Sequence, residues 1–536
     1  MKYYSKHKDD SPAQTVLNIQ KILHDAGLFH VMEWTETKDI KLSVSCRVTL
    51  YPTKLGANGK GTDKFYASAI AYAELMERMQ NGTLRRPHSK EDYCALPDVK
   101  LMSASEILAQ GSIFFDVLFK DLDIDGEFFR ELWLKNFFEN KEICVVPFAD
   151  IARNKIIWFP SELLVLADGA NGMAAGNNLE EALVQGFSEI FERYVHTKVI
   201  LGEVVPPEIP REYLEQFAIY NLIQEFESSG RYKVKVLDGS LGRGFPVAAS
   251  VITDQETGNF KICFGAHPSF NIAVERTLTE TLQGRKTLED ASSACVFGNE
   301  TQVHNLNNIN NIMSIGSGFY SYNLMLKEPD WKFIPWGAAE NASNTEMLKN
   351  IFALLKRENM TPLIRDASTI GFPACWIVVP GVNTIFTANN LIARIKAYSS
   401  KRDLLARLAA NKQDEQTERL LMNYILFDEY NFYSGNKLFD DKIQVDRLGA
   451  FLALKLGDYE KSKHFFEKLI KLENDETESD YLSVMLKYVN FRVDGLTKQD
   501  AHKILRKLFK DDKAERVIND FLSKIIIFYN YILLKT

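Results

Sequence analysis

Cysteine is scarce: six in 536 residues, at Cys46, Cys94, Cys144, Cys263, Cys295 and Cys375, with no C-x-x-C and no Cys/His pairing. That spacing removes zinc-ribbon and thioredoxin-like readings. Cys46, Cys144, Cys263 and Cys375 fall in apolar strand-like runs, where buried reduced thiols are expected. There is no long basic run, and a net charge of −7 with a pI near 5.9 argues against nonspecific nucleic-acid binding. The opening MKYYSKHKDD has no apolar signal core, and the late apolar run Ile525 to Leu534 contains Asn530 and is too short to span a bilayer. The reading is cytoplasmic, with neither a membrane nor a nucleic-acid partner. A Walker loop is also missing: ahead of Gly59-Lys60 the glycine that G-x-x-x-x-G-K requires is replaced by Lys54.

With 46% hydrophobic and 25% charged residues, the chain is long enough for two to four ordinary domains. It is organised around 171 to 194, NGMAAGNNLEEALVQGFSEIFERY. There a small-residue loop with Gly172 and Gly176, suited to close backbone approach, runs into an amphipathic helix capped by Asn177 or Asn178. Leu179, Leu183, Phe187, Ile190 and Tyr194 form the apolar stripe. Glu181, Glu189 and Glu192 fall within roughly 80° of one another on the opposite face, beside Arg193. A second stretch, NGKGTDKFYASAIAYAELME at 58 to 77, repeats the pattern, with Glu74 and Glu77 one turn apart. A third helix is predicted over Asn271 to Arg285, after the strand-like Phe260 to Phe264 and the loop GAHPSF, and it offers Arg276, Glu280, Gln283 and Arg285. Four carboxylates that meet one another and triphosphate oxygens require cations between them. Magnesium, which takes carboxylates, phosphate oxygens and waters, suits that role. The arginines and Lys60 would neutralise the remainder. His267 in GAHP reads as a structural loop histidine.

The G-K-G segment followed by E-x-x-E-R, the N-G-x-x-A-G-N loop followed by S-E-x-x-E-R, and GAHP followed by T-E-x-x-Q-x-R together resemble the YcaO family. The likeness covers roughly residues 1 to 400. It implies a fold that binds Mg2+ and ATP without a Walker motif and activates a peptide backbone amide. It implies Glu74, Glu77, Glu189 and Glu192 as magnesium ligands, and Asn177, Glu181, Arg193, Gln283 and Arg285 as ATP contacts together with Lys60. KDDSPAQT resembles the family's nucleotide-contacting segment and adds Lys8 and Thr15. Ala174 and Asn18 depart from the pattern, where relatives carry serine and arginine. The nucleophile adds to the amide carbon and the amide oxygen takes the γ-phosphate, so no covalent enzyme nucleophile is implied. The likeness is to the family branch that serves as accessory factor in ribosomal-protein methylthiolation. A thioamide- or azoline-forming maturase of a ribosomally made peptide, or a non-catalytic ATP-binding scaffold, are the alternatives. A terminus NYILLKT without proline counts against an azoline cyclodehydratase. A protein or peptide substrate, a modification partner and a homodimer are expected.

The rest of the chain supports an α/β architecture of mixed or antiparallel sheets over residues 1 to 395. A helix is predicted over 12 to 29 and strands over Leu42 to Leu50, Ile143 to Phe148, Ile156 to Phe159 and Leu163 to Leu166. Further strands are predicted over 233 to 238, 245 to 253, Phe260 to Phe264, Leu363 to Arg365 and Cys375 to Val379. Residues 84 to 140 read as short aromatic-rich helices, and Asn305 to Ile315 as a polar insertion or loop. From 396 to 536 the chain becomes all-α, rich in Leu and Lys. There KLGDYEKSKHFFEKLI resembles one tetratricopeptide repeat, a partner-binding or dimer-bracing element.

Overall fold

A computed structural model describes residues 8–84 (without 37, 39, 42 and 54), 96–111, 142–384 (without 284, 293, 294, 338 and 339), 404, 407, 414–430, 442–509 (without 474) and 514–516. In chain order the elements used below are α1 (Pro12–Asp25), β1 (His30–Glu36), β2 (Val44–Leu50), β3 (Gly56–Gly61) and α2 (Lys64–Gln80). They are followed by β4 (Lys100–Met102), β5 (Ile143–Asp150), β6 (Lys155–Pro160), α3 (Ser161–Asp168), β7 (Met173–Ala175) and α4 (Leu179–Ile200). Then come β8 (Tyr232–Asp238), β9 (Val247–Asp254), β10 (Phe260–Ala266), α5 (Phe270–Thr281), β11 (Cys295–Gly298), α6 (Leu306–Ile315) and β12 (Gly318–Ser321). Next are α7 (Asn344–Arg357), β13 (Leu363–Asp366) and β14 (Ala374–Val378), and last α8 (Glu415–Tyr430), α9 (Lys442–Lys455), α10 (Tyr459–Leu472), α11 (Glu476–Val493) and α12 (Lys498–Leu508). Contacts divide the chain into Met1–Leu391 and Ile392–Thr536.

Among the described residues the first unit holds three mainly antiparallel sheets, ordered β1-β2-β3, β12-β11-β10-β9-β8 and β4-β5-β13-β14-β7, with β6 also on β5. Among the described strands one pair, β11 with β12, is parallel. The hairpin β9–β10 forms where two strand-like runs and the turn-rich stretch over 254 to 259 predict it, in register from Phe260↔Thr253 to Ala266↔Val247. Helix α4 lies between two sheets: Phe187, Ile190, Phe191 and Val195 bury into one core with Phe264 of β10 and Ile377 of β14. Its apolar face thereby fixes which way its glutamates point. Helix α2 packs on β3, where a Cβ at Gly59 would stand 2.1 Å from the Ala67 carbonyl oxygen. Only glycine lets helix and strand approach so closely.

Several expectations are corrected. G-K-G is strand β3, not a loop. Helix α1 stops at Asp25, and α5 stops at Thr281, leaving Gln283 and Arg285 beyond it. The predicted strand Leu163 to Leu166 is part of helix α3, because a short apolar run without alternation suits a helix as well as a strand. Asn305 to Ile315 is mostly helix α6: Ile309 and Ile312 sit on one buried face, and Asn308 holds β12 by accepting from Phe319 N (2.6 Å) and donating to Phe319 O (2.8 Å). Cys144 is disulfide-bonded, against the expectation of a thiol, whereas Cys46, Cys263, Cys295 and Cys375 are free and buried. Most of the aromatic stretch 84 to 140, with Leu42, Cys94, Lys54 and the run Ile525 to Leu534, lies outside the described residues. Among the described residues no helix is long and apolar enough to cross a membrane.

The second unit is helical wherever it is described. Its core joins Leu421, Phe451, Phe465, Phe466, Leu482, Met485 and Leu505. Gly449 packs against the Phe465 ring, which stacks α9 directly on α10.

Candidate active site

The site is assembled from both ends of α4. At its N-terminus Asn178 is the cap, accepting from Glu181 N at 2.8 Å. The Glu181 side chain is buried and draws the chain's beginning onto the helix: Lys8 Nζ stands 3.0 Å from Oε1, Asp9 N donates to Oε2 at 2.9 Å, and Asn177 Nδ2 donates to both oxygens. Thr15 Oγ1 donates to Asn177 Oδ1 at 2.8 Å. The sequence-predicted Lys8, Thr15, Asn177 and Glu181 therefore form one polar cluster. Asp9, which was not predicted, joins it by accepting from Asn178 (2.8 Å) and from Asn344 of α7 (2.7 Å).

Two to three turns along α4, about 12 Å from Glu181 by helical rise, Glu189 and Glu192 meet the second E-x-x-E. Glu77 is 8% exposed. Burial pushes its carboxyl well above the usual carboxylate range; Arg78 and, more weakly, Arg193 pull the other way, while Glu189 and Glu74 push it further up. Glu192 is likewise raised by burial, with Lys60, Arg193 and Arg276 opposing and Glu189 adding to the rise. Arg78 spans its helix's pair, 3.2 Å from Glu74 Oε1 and 3.4 Å from Glu77 Oε1, and Arg193 Nε donates to Glu189 at 3.0 Å. Burial works against the charge on Arg78, yet Glu77, Glu74 and Glu189 hold its pKa above the ordinary value. Lys60, on β3, pairs with Glu280 of α5 and also feels Glu192, Arg276 and Glu74; its pKa is lowered, chiefly by burial. Arg276 donates to Ala266 O at 2.6 Å and to Gln185, and faces Glu192, Glu275 and Glu189.

Glu74, Glu77, Glu189, Glu192, Lys60 and Arg193 are thus brought to one centre. Gln283 lies half-buried past the end of α5, and Arg285 donates to the carbonyls of Thr281 and Ile315, each at 3.0 Å. Arg78 was missed as a participant although the R of E-x-x-E-R signals it; Asp9 was passed over although it stands in KDDSPAQT beside Lys8. Gly172 and Gly176 do not leave open space for a ligand. A Cβ at Gly172, whose φ is +87°, would sit 2.1 Å from Ile377 O, and one at Gly176 would sit 2.7 Å from Ala182 N. His267 is buried, its Nδ1 accepting from Ser269 N at 3.0 Å, as a structural histidine would.

Among the described residues no three Asp, Glu, His or Cys side chains converge in metal-ligand geometry; two arginines clasp three of the four glutamates. The donor set nevertheless suits a hard divalent cation. Glu77 Oε1 and Arg78 Nη1 are both buried without a hydrogen-bond partner. A buried carboxylate oxygen in that state is costly unless a cation or another donor joins it.

Residues 58–383 match the family profile described as YcaO cyclodehydratase, ATP- and Mg2+-binding. The chain is 28% identical over 432 residues, 76% of its own length and 72% of the relative's, to the Escherichia coli ribosomal protein S12 methylthiotransferase accessory factor YcaO. It is 30% identical over 347 residues to an uncharacterised Haemophilus influenzae protein, covering 63% of this chain and 58% of that one. Two solved structures are similar at lower identity. One is YcaO from Methanopyrus kandleri bound with AMPPCP and Mg2+, at 18% identity and a TM-score of 0.44, over 71% of this chain and 93% of that one. The other is a heterocyclase in complex with substrate and cofactor, at 20% and 0.49, over 72% of this chain and 54% of that one.

Proposed function

The chain belongs to the YcaO family, and from that premise we propose that it uses Mg2+ and ATP to phosphorylate the oxygen of a peptide backbone amide. The carrying observation is the meeting of two E-x-x-E pairs from α2 and α4 at one centre, with a buried, unpartnered Glu77 oxygen. Glu74, Glu77, Glu189 and Glu192 would hold the metal, whose charge would let triphosphate oxygens approach four carboxylates. Lys8, Thr15, Asn177 and Glu181 form the nucleoside end. A helical rise of about 12 Å from there to Glu189 is on the scale of an extended nucleoside triphosphate. Lys60, Arg193, Gln283 and Arg285 are assigned to the phosphates, and Arg78 and Arg193 hold the carboxylates apart before nucleotide arrives. The protein's contribution is positioning and charge neutralisation.

The finer reading is an accessory factor for thio-modification of a ribosomal protein, supported by the match to the E. coli accessory factor over 72% of its length. The substrate on this reading is a protein, recruited with a modification partner. Residues 1–395 form the ATP-binding domain, and 396–536, with its repeat-like segment, braces a homodimer or docks the partner. The test is nucleotide affinity with and without magnesium: ATP should bind only with the metal, and equal affinity in EDTA rejects the metal centre. Glu189→Gln and Glu192→Gln should each abolish turnover in a folded protein, because neither side chain belongs to the apolar face of α4.

A further inference from the structure

Helix α4 carries one more polar side chain on the edge that faces the site. Gln185 stands four residues after Glu181 and four before Glu189. That places it about 6 Å from each along the axis and, at about 100° per residue, midway between them around it. Its amide oxygen accepts from Arg276 Nη2, while Arg276 Nη1 donates to Ala266 O, the last residue of β10, at 2.6 Å. Two neutral acceptors on two different elements fix the plane of the guanidinium without neutralising it. The seat is close-fitting: a Cβ at Gly265 would stand 2.8 Å from Arg276 Cβ and 2.5 Å from Ala273 O, so glycine there lets α5 lie this near to β10.

The charge on Arg276 is not taken up by any single acid. Lys60 pairs with Glu280, Arg78 with Glu74 and Glu77, and Arg193 with Glu189. Among the described residues Arg276 has no carboxylate within ion-pair distance; Glu192, Glu275 and Glu189 act on it from farther off, and Lys60 feels it as a like charge. When a divalent metal occupies the two E-x-x-E pairs, it screens the pull of Glu192 and Glu189, and the guanidinium becomes a cation with neutral partners. Planar, fixed N–H donors of that kind match phosphate oxygens. A nucleotide laid from Glu181 towards Glu189 brings its middle past Gln185, where Arg276 is held.

We propose that Arg276, oriented by Gln185, binds the β-phosphate of the nucleotide and makes the site select a diphosphate or triphosphate over a monophosphate. The inference rests on the nucleotide reading given above, with the nucleoside at Glu181 and the metal-bound end at Glu189. It deepens that reading by naming the contact at the centre of the ligand, supplied by α5 across the midpoint of α4.

The test is calorimetric titration of the full-length protein with Mg-ATP and Mg-ADP, and with AMP by its displacement of Mg-ADP. Arg276→Met should lose about tenfold or more in affinity for Mg-ATP and Mg-ADP. AMP, which has no β-phosphate, should change by less than about threefold, and the melting midpoint without nucleotide should hold. Arg276→Lys, which keeps a point charge without the fork, should regain part of the loss. Should Arg276→Met misfold, Gln185→Met, which removes the orienting acceptor and leaves the cation, must weaken Mg-ADP more than AMP in a folded protein. Undiminished Mg-ADP affinity in the folded variants overturns the proposal. So does an equal loss for AMP and Mg-ADP, which would make Arg276 a brace between α4 and α5. A wild type that fails to bind Mg-ATP rejects the nucleotide site as a whole, and this assignment with it; a wild type that binds beside an Arg276→Met that binds equally well rejects the assignment alone.

Discussion

Replacing Glu77 by glutamine separates stability from function at this site. In the folded protein Glu77 is buried, with Arg78 Nε at 3.4 Å, longer than a good hydrogen bond, and its Oε1 has no hydrogen-bond partner. Its other charged neighbours, Glu189 and Glu74, repel it, and only Arg193 adds to the attraction. An unsatisfied buried polar atom costs about 1–3 kcal/mol, and the long Arg78 contact returns little more than about 1 kcal/mol. Arg78 keeps Glu74 when Glu77 is neutralised. Glu77→Gln should therefore leave unfolding free energy in EDTA within about 1 kcal/mol of wild type, on the stabilising side, where breaking a well-formed buried pair would cost about 3–5 kcal/mol. Magnesium-ATP turnover should fall at least a hundredfold, about 2.7 kcal/mol. The assay is urea denaturation in EDTA beside phosphate release with magnesium. A loss of more than about 3 kcal/mol would show Glu77 to be a structural partner of Arg78, and unchanged turnover would remove it from the metal centre; either refutes the reasoning.

Other expectations follow the same physics. Gly172→Ala forces a left-handed φ and places a Cβ 2.1 Å from Ile377 O, so a loss of about 3 kcal/mol or more, or insoluble protein, is expected, measured by yield and melting midpoint. His196 is buried, stacked 4.2 Å from the Phe264 ring and bonded to Tyr320 Oη at 2.7 Å, and burial takes its pKa down to about 3. The unfolded chain binds the proton below about pH 6.5 and the folded chain does not, so stability is full above that pH and falls toward pH 3 at up to about 1.4 kcal/mol per unit. His196→Gln should flatten that slope in urea melts taken across pH 4 to 7. A chain ending at Ser399 should keep magnesium-dependent ATP binding but lose association or peptide modification; loss of ATP binding in a folded truncation would place the helical unit within the nucleotide site.

The parts of this fold legible in the sequence are those whose signal is local. The β9–β10 hairpin is written in two short strand-like runs and a turn, and α4 in a cap followed by a 3.6-residue stripe. The site glutamates were legible because i, i+3 spacing on two helices coincides with a family pattern. Leu163 to Leu166 failed because an unbroken apolar run has no period to read. Asn305 to Ile315 failed because its asparagines obscure Ile309 and Ile312. Partners far away in sequence were invisible: Asp9 finds Asn344, and the backbone that forbids a side chain at Gly172 belongs to Ile377. For that reason the glycines looked like room for a ligand when they are room for the protein itself.

Helix α4 carries both halves of the site on one uninterrupted rod, and this makes the centre intolerant of changes in spacing. A single residue inserted between Glu181 and Glu189 would advance the far half by about 1.5 Å and turn it by about 100°. Ser188 and Phe191 would then face the cations where Glu189 and Glu192 now do, and the displaced glutamates would no longer oppose Glu74 and Glu77. Lengthening by four residues brings the angle back to within about 40° yet moves the far half roughly 6 Å away. The helix therefore works as a keyed shaft: between Asn178 and Arg193 the count of residues is itself part of the proposed active site.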